Sequence, residues 1–272
     1  MSVSTNSWLT RKAQRLGAYG LRAISAVAPD RYRPYRFAGG RIYLNLHESE
    51  MMVERALGQY EVRKRRLIER LLRPGMSFVD AGANKGDFTL IAARLVGDRG
   101  AVFSFEPEPT NFQWLERSIA LNQYRNVRAY NVALGDTEGP VQLHLGPLSG
   151  QNTLVAGIYD DFGAKTVMTR TLDSVLREIG GPKIDMIKID VEGWELPVLR
   201  GALDTIRSND NAIVLLDLHP QLGADVPAVG SLLQSLGFRF YLHCDLSQEI
   251  TALPDYQVDV AAIRGAGDMR AL

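Results

Sequence analysis

Five times in this chain a short apolar run ends in polar or glycine residues. The runs are Phe78 to Ala81, Ala101 to Phe105, Val127 to Leu134, Ile184 to Ile189 and Ala212 to Leu218. Segments with helical spacing separate most of them, and that alternation describes parallel strands joined by crossover helices. It stops at Phe238 to His243 and Tyr256 to Arg264, which have no helix between them. Those two runs pair as a hairpin whose final strand is antiparallel. A chain of 272 residues can bury the core such a sheet needs. The expected fold is α/β: a Rossmann-like seven-stranded sheet ending in an antiparallel hairpin. Residues 1–75 form a helical N-terminal cap, and a small β-hairpin insertion occupies about 140–170.

The first core run leads into Gly82-Ala83-Asn84-Lys85-Gly86-Asp87-Phe88-Thr89. Glycine at Gly82 and Gly86 permits positive φ and close backbone approach to a ligand. Asn84 tolerates the left-handed region better than other side chains. A strand, a glycine turn and a helix start aim backbone N–H groups at a ligand. The turn lacks the Gly-Lys-Ser/Thr ending of a phosphate loop and the spacing of a dinucleotide fingerprint. Asp80, two residues before Gly82, suits a ligand bearing an ammonium or sulfonium cation. Glu106 lies 20 residues after Gly86, where a second βα unit places an acid over ribose hydroxyls.

In the cap, Trp8 to Val27 is patterned as an amphipathic helix. From Arg11 to Arg36 there are seven bases and one acid, Asp30. The expectation is a helix docked on its own domain or on a second copy of the chain, so a homodimer through this helix is foreseen. Arg41 to Leu46 suits a short strand, and Glu48 to Leu72 one or two helices broken near Gly58. The net charge is zero, which gives no sign of nucleic acid as a partner. No run is long and apolar enough for a membrane span. A single cysteine, Cys244, fits a reducing compartment, and the chain is expected to be cytoplasmic.

Ligands of open α/β sheets lie outside the carboxyl ends of the strands. Lys188, Asp190 and Glu192 alternate there with Ile187, Ile189 and Val191, so one face of that strand end is charged. Unpaired charge is costly to bury, which points to a pocket or to ion pairs of Lys188 with its neighbours. Asp217 and His219 end the fifth run. His219, with an ordinary pKa near 6.5, suits proton removal around neutrality.

On these residues the chain resembles the FkbM family of S-adenosylmethionine-dependent methyltransferases. The matching segments are Val79 to Gly86, Phe105-Glu106-Pro107, Asn131 to Asp136, Thr171-Leu172-Asp173 and Ile187 to Glu195, in family order. Gly58-Gln59-Tyr60-Glu61 is similar to the lead-in before the first core strand. Asp217 stands where the family more often has Glu. The resemblance implies a class I methyltransferase fold, with the cofactor-binding domain over 76–272. It also implies methyl transfer to a hydroxyl of a small molecule, such as a sugar or secondary metabolite. Carried over, Asp80, Gly82 and Gly86 line the amino-acid part of S-adenosylmethionine, with Asn84 and Thr89 in the same stretch. Glu106 and Pro107 meet the ribose, Ala133 and Leu134 border the adenine, and Asp190 lies beside the sulfonium and the acceptor.

An aliphatic hydroxyl is a poor nucleophile, so a base is expected at the strand ends. His219 or Asp190 is the candidate, with Glu192 orienting. No metal is predicted, although Asp190 and Asp217 could offer oxygen ligands to Mg²⁺. The competing readings are a nicotinamide-dependent oxidoreductase and a non-catalytic cofactor-binding protein. The missing Gly-x-Gly-x-x-Gly and the terminal hairpin disfavour the first.

Overall fold

In the computed structural model, which describes residues 32–265, the cap begins with a two-stranded antiparallel hairpin, β1 (Arg33–Phe37) and β2 (Gly40–Leu44). Two helices follow, α1 (Glu50–Ala56) and α2 (Val62–Leu71). Its described part is thus a hairpin plus helices. The helix expected over Trp8 to Val27 lies outside the described residues.

The core runs β3 (Ser77–Ala81), α3 (Asp87–Val96), β4 (Ala101–Phe105), α4 (Pro109–Leu121) and β5 (Val127–Tyr130). The insertion holds β6 (Ala133–Leu134), β7 (Gly139–His144) and β8 (Ala164–Arg170). Then come α5 (Leu172–Glu178), β9 (Met186–Ile189), α6 (Glu195–Arg200), α7 (Leu203–Arg207) and β10 (Ile213–Leu218). The chain closes with α8 (Val226–Ser235), β11 (Arg239–Leu242), β12 (Glu249–Ile250) and β13 (Val258–Ile263).

The main sheet has the order β12-β11-β13-β10-β9-β3-β4-β5. The five expected core strands are parallel, and β13 inserts antiparallel between β10 and β11. Seven strands match the sequence expectation, and the two-residue β12 adds an eighth at the edge.

Two boundaries differ from the sequence reading. The run Val127 to Leu134 is not one strand. Asn131 donates through Nδ2 to the carbonyls of Glu106 (2.8 Å) and Pro107 (3.0 Å), and this turns the chain out of the sheet. Ala133 and Leu134 then join β8 in a separate three-stranded sheet with β7. The helical crossover between β9 and β10 is not one helix but two. At Gly201 the chain passes so close to Gly135 that a Cβ would overlap its carbonyl oxygen. Asp173 accepts from the N–H groups of Asp204 (2.9 Å) and Thr205 (2.8 Å), and so caps α7.

Period-two alternation sorts the strands between two cores. Val79, Ala81, Ile187, Ile189, Leu216 and Leu218 face α5, α6 and α8. Phe78, Met186 and Leu215 face the cap and α3. The same alternation puts Asp80, Lys188, Asp217 and Asp259 on the cap side. Asp80 is the register partner of Lys188, and Asp217 that of Asp259. Four ionisable side chains therefore lie under the cap, at the ends of four neighbouring strands.

Candidate active site

A cavity of about 380 Å³ opens at these strand ends, between the cap, the insertion and the sheet. At one end stands Glu106. Its carboxylate accepts from the backbone N–H of Asn84 (2.8 Å) and of Glu108 (3.0 Å). Asn84 adopts φ 49°, the left-handed conformation foreseen for it. Burial pushes Glu106 up to about 7, against those two hydrogen bonds. Phe105, Val132 and Leu134 give this end apolar walls, and Gly82, Asn84, Pro107 and Ala133 also line it. An acid with apolar surface beside it fits a nucleoside: hydroxyls for the carboxylate, a base for the walls.

Three of the expected cofactor residues are not on the cavity wall. Asp80 is fully buried; it accepts from Thr89 Oγ1 (2.7 Å) and pairs with Lys188 Nζ (3.2 Å). Its charge is met from behind the turn, so it offers nothing to a ligand. Thr89 is committed to that bond and to Ser104 Oγ (2.8 Å). Gly86 begins α3 at φ 101°, and a Cβ there would press on Leu115. Gly82 does line the cavity, yet its lack of a side chain has a packing cause. A Cβ would overlap the Asp190 carbonyl oxygen on the next strand.

At the other end Asp190, Glu192 and His219 come together on the cavity wall. Burial works against ionised Asp190, but Lys188 (3.5 Å), Lys64 and His219 outweigh it and bring it down to about 2. A carboxylate that acidic makes a poor proton acceptor. His219 is clasped by two carboxylates, Glu195 at Nδ1 (3.0 Å) and Glu192 at Nε2 (3.5 Å). Burial alone would lower its pKa. The bond to Glu195 and the charges of Asp190 and Glu192 prevail and raise it to about 9. The ordinary imidazole pKa, on which its expected role as base rested, does not hold here. Glu192 moves the other way. Burial and the charge of Asp190 raise it to about 7, with His219 opposing. The group poised near neutrality is therefore Glu192, expected only to orient. Glu195, fully buried, fixes the ring and also accepts the Gly193 N–H (3.1 Å).

Beneath them Lys64, from α2 and fully buried, meets Glu61 (2.6 Å), Asp217 and Asp259 (3.3 Å). Burial drives Asp217 well up, and Lys64 only partly offsets this. Its partner Asp259 is held down, so the charge rests on Asp259 and the proton on Asp217. Oxygen and nitrogen atoms of Asp190, Glu192 and His219 lie within 4.8 Å of one another, as do those of Glu61, Asp190 and Asp217. The ammoniums of Lys64 and Lys188 and the imidazolium of His219 already counter these carboxylates, and a further cation would face them at close range.

The sequence reading did not single out Arg55, Lys64, Asp87, Glu195 or Asp259. One signal was present. Lys64, Leu67, Ile68 and Leu71 share one buried stripe of α2, and Arg55 lies with Met52 on the buried side of α1. A cation inside an apolar helical stripe calls for a buried counter-charge.

Comparison with known proteins shows the family. The family model for the methyltransferase FkbM domain matches residues 80–240. A "Methyltransferase 1" of Beauveria bassiana is 30% identical over 185 residues, 61% of this chain and 73% of the relative. The hexuronic acid methyltransferase AglP of Haloferax volcanii is 28% identical over 174 residues, 64% of each chain. The 31-O-demethyl-FK506 methyltransferase FkbM of Streptomyces tacrolimicus is 29% identical over 199 residues, 61% of this chain and 74% of that one.

Proposed function

The chain belongs to the FkbM methyltransferase family, and from that premise we propose that it moves a methyl group from S-adenosylmethionine to a hydroxyl oxygen of a small polar acceptor, a sugar or secondary metabolite. The observation that carries the hydroxyl assignment is Glu192: a carboxyl on the cavity wall, raised to about 7 and facing His219 Nε2 at 3.5 Å. The names of two relatives, a hexuronic acid methyltransferase and a 31-O-demethyl-FK506 methyltransferase, support the acceptor class.

When bound, the cofactor supplies a methyl group already activated on a sulfonium. What remains for the protein is binding, alignment and removal of the acceptor proton. Glu106 takes the ribose hydroxyls, and Phe105, Val132 and Leu134 exclude water around the base. Glu192, when ionised, accepts the hydroxyl proton as the oxygen–carbon bond forms. The His219 imidazolium holds the Glu192 charge before that step, and Glu195 keeps the ring turned toward it. Lys188 and Lys64 fix Asp190 as a permanent anion beside them.

Transfer of labelled methyl to a panel of sugars, uronates and hydroxylated aromatics tests the reading. Glu192→Gln is expected to lower kcat by roughly 10²–10⁴ while leaving cofactor affinity unchanged. Transfer confined to amines, or an undiminished kcat in the variant, would sink the hydroxyl assignment.

A further inference from the structure

Two buried charges on the cap side of the glycine turn take no part in that chemistry. Arg55 on α1 and Asp87, the first residue of α3, are 4% and 3% exposed, and both line the cavity. They meet Nε to Oδ2 at 3.1 Å. Yet Arg55 Nε and both oxygens of Asp87 have no aligned hydrogen-bond partner among the described residues. Tyr60 lies against the guanidinium face, 4.4 Å from ring centre to Cζ, and so sets its plane. Arg55 also makes a weak bond from Nη1 to Met52 Sδ, at 3.6 Å. Buried ions are costly when their hydrogen-bonding atoms are left unpaired.

Two neighbouring acceptors, the Gly82 carbonyl and Asp80, are already engaged, while Asn84 Oδ1 is left without a hydrogen bond among the described residues. Lys188 Nζ donates to the Gly82 carbonyl at 2.7 Å and pairs with Asp80. A cation entering this part of the cavity finds the oxygens of Asp87. An anion finds Arg55 and the first N–H groups of α3, whose N-cap Gly86 has no side chain to satisfy them.

We propose that Arg55 and Asp87 form a subsite for a free α-amino acid group, with its carboxylate on Arg55 and its ammonium on Asp87. This rests on the cofactor reading above, under which the group is the methionyl end of S-adenosylmethionine. The cap then supplies half of a cofactor contact that the sequence had assigned to Asp80.

The test is calorimetric binding of S-adenosylhomocysteine and of 5′-methylthioadenosine, which keeps the nucleoside and sulfur but lacks the amino acid group. Wild type is expected to bind the first at least about tenfold more tightly, the effect of losing a charged hydrogen bond. Arg55→Gln and Asp87→Asn should each erase most of that difference and leave 5′-methylthioadenosine within about twofold, and Arg55→Lys should restore part of it. If the Gln variant is unstable, wild type alone decides with S-adenosylhomocysteine lacking only its carboxylate, expected to bind about tenfold more weakly. Unchanged S-adenosylhomocysteine affinity in the variants, equal loss for both ligands, or wild-type indifference to the carboxylate would overturn the subsite alone. If wild type binds neither nucleoside, the cofactor reading fails and the subsite falls with it.

Discussion

The two ends of the cavity are built in opposite ways. Around Glu106, the hydrogen bonds come from backbone: Asn84 in the turn after β3, and Glu108, two residues beyond Glu106. Around Glu192, the partners are side chains from α2, α6, β9, β10 and β13, widely separated in sequence. One end needs a correct local turn; the other needs the whole domain folded, cap included. Removing a part should therefore do different things at the two ends. Damage at the Glu192 end should reach stability, and damage at the Glu106 end should reach ligand binding.

The largest expected effect is at Lys64. Lys64→Met would leave Glu61, Asp217 and Asp259 beneath the cap without their shared cation. Breaking a buried pair in this way costs about 3–5 kcal/mol. A fall in the urea midpoint with an unchanged slope would show it. A loss below about 1 kcal/mol would mean that the remote charges do not hold this end together.

The next effect is a pH dependence. His219 is raised from its ordinary 6.5 to about 9 in the fold. Its contribution is thus fully present below pH 6.5 and is lost as pH rises through 9. Unfolding free energies of wild type should fall across that window by up to roughly 3 kcal/mol. His219→Asn should flatten the fall. Acids facing the ring, Glu192 and Asp190 from the exit of β9 and Glu195 from α6, set this behaviour. Glu192 and Glu106 act in the opposite sense to an ordinary paired carboxylate. Both are raised to about 7, so the folded state holds their protons and loses stability between about pH 4.5 and 7. A wild-type stability that stays flat from pH 6.5 to 9 would remove the clasped imidazolium from the account.

The same contrast explains what the sequence disclosed. The five parallel core strands, the terminal hairpin, the left-handed Asn84 and the position of Glu106 at the end of its strand all follow from apolar runs, glycine positions and short spacings, which are local information. Asp80 misled for a local reason as well. Its position before the turn says nothing about Lys188, its register partner on another strand and 108 residues away in sequence. His219 was legible as a strand-end histidine, but its pKa depends on Glu195 and Glu192, which the fold brings to its two nitrogens. The break between β5 and β6 hangs on Asn131 reaching the main chain after β4, a contact no periodicity encodes. Lys64 and Arg55 were visible as cations within buried helical stripes; their partners were not.

The most direct test of the central claim is calorimetric titration of wild type and Glu106→Ala with S-adenosylmethionine and with NADH. The account predicts that wild type binds S-adenosylmethionine in the micromolar range and ignores NADH. It also predicts that Glu106→Ala weakens that binding by about 1.5–3 kcal/mol, the size of a lost charged hydrogen bond, without lowering the urea midpoint as Lys64→Met does. Binding of NADH alone, or S-adenosylmethionine affinity indifferent to Glu106, would contradict it.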